Sequence, residues 1–261
     1  MNFSVLTYNV LYNKAFLELK NIIDVFHPDI ICLQEVDTDE QNLKTIEHLH
    51  YNLADFSNSF IKFDKIFGIA TFFQKSKFKL IESDAVFLPR SIYEFFLSII
   101  RFLRGGNNPR TLLETNLLFK KANKRITIFN THLTMLGANG IRLKQLNEGL
   151  NFYQAASKKS LIVTGDFNYF PYNRRKLELL MKKHGLKEAT RKISYTMQYS
   201  RDGKLEQYNF LQRLAAKIYS KLFTDRLKTD YMFYKNLRLK KIERIKVRFS
   251  DHFPIIAYFS E

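Results

Sequence analysis

The chain has 261 residues, 46% of them hydrophobic and 26% charged, which is long enough for a sizeable core and too apolar for a disordered polymer. Its single cysteine excludes an intramolecular disulfide and a cysteine-based zinc site, and nine Gly and five Pro without a heptad run exclude collagen, coiled-coil and proline-rich architectures. The net charge of +17 is uneven, because residues 170–261 carry 22 Lys and Arg against nine Asp and Glu whereas residues 1–169 carry 20 against 16, and a field of that sign attracts polyanions.

Short β-rich runs alternate with helical patterns along the chain. Asn2–Tyr8 reads as a strand. Lys14–His27 is helical, with Ala15, Leu19, Ile22 and Phe26 on one face and Pro28 as its stop. Asp29–Val36 is a nearly continuous apolar strand of the kind buried on both faces, and Cys32 belongs to its core. Phe67–Phe73, Phe78–Phe87, Leu112–Phe119 and Arg125–Thr131 read as further strands. Asn139–Ala156 is helical, Ser160–Thr164 is a strand, and Arg174–His184 is a helix closed by Gly185. Tyr208–Phe223 is an amphipathic helix, and strands follow at Thr229–Tyr234, Arg238–Phe249 and Pro254–Phe259. No linker and no repeat divides the chain, so residues 1–261 are expected to form one α/β domain on packed sheets. The N-terminus lacks the pattern of a signal peptide and no window has the apolar length of a membrane span, so a cytoplasmic protein is the expectation.

Polar residues gather just past the ends of these strands. Asn9 follows the first; Glu35 ends the second; Asn130 and His132 end ITIFNTH; Asp166 and Asn168 follow LIVTG; Asp230 opens TDYMFY; Asp251 and His252 precede the last strand. One such residue is commonly a turn or a cap, but sheets also collect functional groups at their strand ends. Glu35, Asp166 and Asp251 are hard oxygen ligands and Asn9 adds an amide oxygen, a set suited to Mg²⁺. His132 and His252 suit phosphate contact or proton transfer, and a divalent cation beside a phosphate points to phosphodiester hydrolysis.

The ordered series TYN, QE, NTHL, GDFN, TDY and SDH, from Asn9 to His252, resembles the endonuclease/exonuclease/phosphatase superfamily, whose prototype is deoxyribonuclease I. The resemblance implies a four-layered α/β sandwich, two packed mixed β-sheets flanked by helices. It implies Glu35 as the principal Mg²⁺ ligand (Mn²⁺ as the substitute), with Asn9 and Asp251 completing the metal site. Asp166 would activate the nucleophilic water and Asn168 would hold the transition state. His252 would act on the scissile phosphate, oriented by Asp230, with His132 as a second phosphate contact and Asn130 in support. Two features depart from or subdivide the family pattern. The Arg–aliphatic–Asp stretch is here Lys228–Thr229–Asp230, and NTHL places the chain with the deoxyribonuclease I-like nucleases, neutral sphingomyelinases, deadenylases and tyrosyl-DNA phosphodiesterases.

For the substrate, Arg213, Lys217 and Lys221 make a basic stripe on the Tyr208–Phe223 helix, and strand alternation along 238–248 aligns Arg238, Lys240, Arg244, Lys246 and Arg248 on one face. Both features suit a phosphate backbone, and both also suit a solvated surface. Arg110 and Arg142 lie near motif loops and are expected phosphate contacts. The expected activity is that of a nucleic-acid endonuclease, with nucleic acid, DNA or RNA, bound through the basic C-terminal third. The alternative is a lipid phosphodiesterase of neutral sphingomyelinase type, docking on a membrane through Ile92–Leu103, which is apolar nearly all round; a phosphomonoesterase on nucleotides or phosphoinositides is the third reading. Nothing in the sequence implies a protein partner.

Overall fold

Strands whose residues are almost all apolar need cover on both faces, and this requirement arranges the layers. The computed structural model describes residues 1–62, 64–90, 92, 110–135, 137–152, 160–198, 226–247 and 249–261. The strands are β1 (Asn2–Asn9), β2 (Ile30–Asp37), β3 (Tyr51–Lys62), β4 (Lys65–Gln74), β5 (Phe78–Phe87), β6 (Thr111–Phe119), β7 (Lys124–His132), β8 (Ser160–Asp166), β9 (Lys187–Glu188), β10 (Met197–Gln198), β11 (Arg226–Leu227), β12 (Asp230–Lys235), β13 (Arg238–Arg244) and β14 (Ile255–Ser260). The helices are α1 (Phe16–Phe26), α2 (Glu40–Glu47), α3 (Asn139–Phe152) and α4 (Arg174–Lys183).

Two six-stranded mixed sheets result, one in the order β13-β14-β1-β2-β4-β3 and one in the order β5-β6-β7-β8-β12-β9, with β10 and β11 as a separate pair. The apolar clusters define four layers. Leu19, Ile22 and Ile23 of α1 and Leu43 and Ile46 of α2 cover Leu6, Ile31, Leu33 and Phe72 on the outer face of the first sheet. Between the sheets, Val5, Ile30, Cys32 and Phe259 meet Phe78, Leu117, Ile128, Ile162 and Met232. On the far side, Leu146 and Leu150 of α3 and Leu177 and Met181 of α4 cover Phe129, Val163, Tyr231 and Phe233. Each fully buried aliphatic or aromatic side chain contributes about 1.5–3 kcal/mol, so the three apolar layers dominate the favourable side of folding. The four-layered sandwich expected from the resemblance is the observed fold.

Several boundaries differ from the sequence reading, each for a local reason. The first helix begins at Phe16 because Leu11, Tyr12 and Asn13 hold φ of 47, 54 and 64°, a left-handed turn that no helix continues. Helix α2 and strand β3 were not predicted. Strand β3 reads YNLADFSNSFIK, and register shifts at Leu53/Asp55 and Asn58/Phe60 break the alternation that would have marked it. The expected strand over Arg238–Phe249 ends at Arg244, and a shift between Leu239 and Lys241 reverses its faces partway. Leu239 and Ile242 both pack into the inter-sheet layer, so the expected basic residues do not share one face. The Tyr208–Phe223 helix lies outside the described residues, as does Ile92–Leu103 except for the exposed Ile92. Among the described residues, no helix is long and apolar enough to cross a membrane.

Candidate active site

Strand direction brings the motifs to one edge. β1 runs parallel to β2 and β7 runs parallel to β8, so Asn9, Glu35, His132 and Asp166 sit at or near carboxyl ends on the same side. β12 and β14 run antiparallel to β8 and β1, so their amino ends, carrying Asp230 and following His252, reach that side too. His132, Asp166 and Asp230 occupy one row across β7, β8 and β12.

Backbone irregularities aim the side chains. A bulge between Gln34 and Val36 leaves Glu35 at φ 53°, a left-handed conformation that costs of the order of 1 kcal/mol or more for a residue other than Gly or Asn. Asn168 is also left-handed, at φ 48°. Gly165 has φ 134°, and a Cβ there would stand 2.0 Å from the Thr131 carbonyl oxygen, so only glycine lets β8 lie this close to β7 beside the row of His132, Asp166 and Asp230. Ser250 fixes the last motif: its hydroxyl donates to the Asn9 carbonyl at 2.9 Å and accepts the His252 amide at 3.1 Å.

Asp166 is the hub. Its Oδ2 accepts from the Asn9 amide at 3.2 Å and the Asn168 amide at 3.3 Å, and the Asn168 backbone N–H donates to Oδ1 at 2.9 Å. His132 Nε2 stands 3.6 Å and His252 Nε2 3.7 Å from the same Oδ2. Those two distances exceed a hydrogen bond, so both ring nitrogens face a common space rather than closing on Asp166. Burial pushes the Asp166 carboxyl up to about 7, with Asp230 and Glu35 adding to the effect and the His252 cation opposing it.

The two histidines are driven apart by their partners. His252 Nδ1 meets Asp230 Oδ2 at 2.9 Å and Oδ1 at 3.1 Å. Burial disfavours the His252 cation, but the Asp230 and Asp166 carboxylates outweigh burial and hold its pKa well above the usual histidine range. Asp230 is itself held by the Thr196 hydroxyl at 2.7 Å and the Thr229 hydroxyl at 3.0 Å. His132 has the opposite partner, since the Arg110 guanidinium lies 3.3 Å from its Nδ1. Burial, the Arg110 charge and the His252 charge all pull His132 well below the usual range. A cation at Nδ1 selects the neutral tautomer with hydrogen on Nε2, so His132 also presents a donor to the shared space.

The residues around Glu35 fit a divalent cation. Glu35 Oε2 is buried without a hydrogen-bond partner, which a buried carboxylate tolerates poorly. Burial raises the Glu35 pKa, and the Asp251 carboxylate raises it further. Two buried carboxylates that repel one another beside the Asn9 amide are the donor set of a hard cation. Asp166, Asp230 and His252 also converge, with candidate ligand atoms within 4.8 Å of one another, but an imidazolium bonded to Asp230 has no lone pair for a metal.

Two expected substrate contacts lie elsewhere. Asn130 is fully buried between the sheets, where its amide donates to the carbonyls of Leu33 and Ala70 and accepts from the Gln34 amide at 2.8 Å. It pins the two sheets together beneath the site. Arg142 is fully buried against Phe170 and donates to the carbonyls of Thr134, Met135 and Gly137, so its charge organises the loop after β7 instead of facing a substrate. Lys228, where the family pattern has Arg, is buried and pairs with Glu188 at 2.7 Å. Sequence reasoning missed Thr196 and Ser250. Ser250 lay in the SDH motif and was legible there, whereas Thr196 sits in irregular chain with no periodicity to single it out.

Comparison with known proteins bears on the family and the fold. The profile of the Endonuclease/Exonuclease/phosphatase family matches residues 6–252. No curated protein matches the chain in sequence. The solved human Nocturnin catalytic domain with bound sulfate is similar in fold, with a TM-score of 0.72 and 21% identity over 99% of this chain and 94% of that one. D. rerio TDP2 complexed with a single-strand DNA product has a TM-score of 0.67 and 15% identity over 100% and 99%. ANGEL2, a 2′,3′-cyclic phosphatase, has a TM-score of 0.69 and 18% identity over 99% and 95%. Motif order, layered fold and family match converge on one conclusion: this chain belongs to the endonuclease/exonuclease/phosphatase family of phosphate-ester hydrolases.

Proposed function

We propose that the protein is a Mg²⁺-dependent phosphodiesterase that cleaves nucleic acid internally. The observation that carries this reading is the shared space faced by Asp166 and by the Nε2 atoms of both His132 and His252. It offers one acceptor for a water proton and two donors for phosphoryl oxygens, as an in-line hydrolysis requires. Held by Glu35, Asn9 and Asp251, the cation would neutralise charge on the phosphate as the bond breaks. Asp166 takes the proton of the attacking water, oriented by the Asn9 and Asn168 amides. His252, kept cationic by Asp230, gives a phosphoryl oxygen a charge-assisted hydrogen bond, and neutral His132 gives another.

The +13 net charge of residues 170–261 supports a polyanionic substrate. The resolved single-strand DNA product in the similar fold of TDP2 supports a nucleic acid. Lipid docking would rest on residues 92–103, of which only Ile92 is described. The deciding experiment is internal cleavage of circular single-stranded DNA and of supercoiled plasmid, with Mg²⁺ and with chelator, beside His252→Ala. Mg²⁺-dependent cleavage of a circle, lost in the variant, is expected; folded protein that leaves both circles intact but cleaves sphingomyelin vesicles would replace the nucleic-acid reading.

A further inference from the structure

Beside the His252–Asp230 pair runs a group of cations and rings that the catalytic residues do not use. The Arg244 guanidinium lies 3.8 Å from the centre of the Tyr195 ring and 4.7 Å from that of Phe253. The Arg226 guanidinium lies 4.7 Å from the Tyr195 ring, and Tyr195 and Phe253 meet edge to face at 5.8 Å. Arg244 Nη1 donates to the Tyr195 carbonyl at 3.1 Å, and among the described residues no carboxylate pairs with it. Tyr195 and Phe253 are half-buried.

This group is tied to the reactive centre at two points. Tyr195 precedes Thr196, whose hydroxyl holds Asp230, and Phe253 follows His252. The Phe253 amide donates to the Thr196 carbonyl at 2.7 Å, and Met197 bridges to His252. Tyr195 is thus the chain neighbour of the residue that holds Asp230, and Phe253 the chain neighbour of His252. Stacked guanidinium and aromatic planes are the surfaces on which unpaired bases rest, and the guanidinium edges suit phosphate. In a duplex those base faces are covered; a lipid headgroup would use the charge and leave the planes without a role.

We propose that Arg244, Tyr195 and Phe253, with Arg226, are the contact for the nucleotide flanking the scissile phosphate, and that the strand they accept is single-stranded nucleic acid. This specificity rests on the nucleic-acid phosphodiesterase reading above. Arg244 supplies a fixed cation to the adjoining phosphate, and Tyr195 and Phe253 take the base.

The test is anisotropy titration of a short fluorescein-labelled single-stranded oligodeoxynucleotide in chelator, where no cleavage intervenes, with the matching duplex alongside. Wild type is expected to bind the single strand more tightly than the duplex. Tyr195→Leu and Phe253→Leu are each expected to weaken single-strand binding about tenfold and to erase most of the preference over duplex. Arg244→Gln is expected to lower the slope of log affinity against log salt by about 0.7. Thermal melting of each variant separates loss of contact from loss of fold, and Arg244→Lys, which keeps the charge without the planar stack, provides a milder change. Equal loss of single-strand and duplex binding in folded variants, or an unaltered salt slope, would overturn the proposal and leave the group as a clamp on residues 195–198. Wild-type hydrolysis of bis(p-nitrophenyl) phosphate with Mg²⁺ tests the underlying reading separately. Turnover of that ester without single-strand binding removes the strip and keeps the phosphodiesterase; no turnover, with strand binding intact and lost in the variants, keeps the contact and removes the phosphodiesterase.

Discussion

Replacing Asp230 by Asn removes one negative charge from a buried pair and one of its two acceptor oxygens. Asp230 meets His252 Nδ1 with both oxygens, at 2.9 and 3.1 Å, while Oδ2 also accepts from the hydroxyls of Thr196 and Thr229. An amide has one oxygen, so the hydroxyls and the imidazole compete for it, and the amide nitrogen faces a donor. A hydrogen bond to a charged group contributes about 1.5–3 kcal/mol net, and each 1.36 kcal/mol is tenfold in rate, so a loss of roughly tenfold to a hundredfold in kcat/KM is the minimum expected. The loss also depends on pH. In the wild type the Asp230 and Asp166 carboxylates outweigh burial and hold the His252 cation to high pH. Without Asp230 the His252 pKa falls, and the active protonated ring is lost at lower pH than in the wild type. The deficit of Asp230→Asn should therefore be smallest in mild acid and grow toward pH 8. Plasmid nicking or ester turnover measured across that range, with a circular-dichroism melt to confirm the fold, reads both quantities. Activity within about threefold of wild type at pH 8, or a deficit that shrinks as pH rises, would refute the role given to Asp230.

Other outcomes follow from the same structure. Glu35→Gln should abolish the rise in melting temperature that Mg²⁺ is expected to give the wild type, roughly 5–10 °C for saturation near a hundred times Kd, because the orphaned carboxylate oxygen is the proposed principal anchor; an equal rise in the variant would move the metal elsewhere. Activity of the wild type should decline as pH falls through about 7, since burial lifts the Asp166 carboxyl into that range and protonation removes the acceptor for the water proton; a flat acid limb in single-turnover measurements would exclude Asp166 as the base. Gly165→Ala puts a Cβ 2.0 Å from the Thr131 carbonyl oxygen at φ 134° and should cost about 2–6 kcal/mol by denaturant titration. Glu188→Gln leaves buried Lys228 without its carboxylate and should cost about 3 kcal/mol at neutral pH. Burial raises the Glu188 pKa, but Lys228 and Arg174 outweigh it and hold Glu188 below the usual carboxylate range. Its contribution is therefore present above the ordinary glutamate pKa and lost as pH falls through the lower folded value. Burial pulls the Lys228 cation down against the pull of Glu188, yet Glu188 has two cations and Lys228 a further acceptor in the Thr190 carbonyl, so the pair is ionic near neutrality. Wild type and variant should thus converge in stability in strong acid, and divergence there would contradict the sign.

The sequence alone determined the strand core, most of the helices, the family and the polar motifs that the fold gathers at one edge. Continuous apolar runs such as Ile30–Leu33 demand a place between layers, and the ordered polar residues at strand ends need only the shared direction of β1, β2, β7 and β8 to meet. Tertiary structure decided what periodicity cannot carry. Bulges in β3 and β13 add a residue and reverse every face beyond it, which hid one strand and scattered the supposed basic stripe. Arg142 was expected to contact phosphate and Asn130 to support the site, but burial turned Asn130 into a pin between sheets and Arg142 into a loop clamp. The contrast between the histidines was equally invisible: both are single letters in short motifs, and only the fold gives Arg110 to one and Asp230 to the other. A residue's type is local, whereas its charge state, tautomer and reach depend on partners brought from distant positions in the chain.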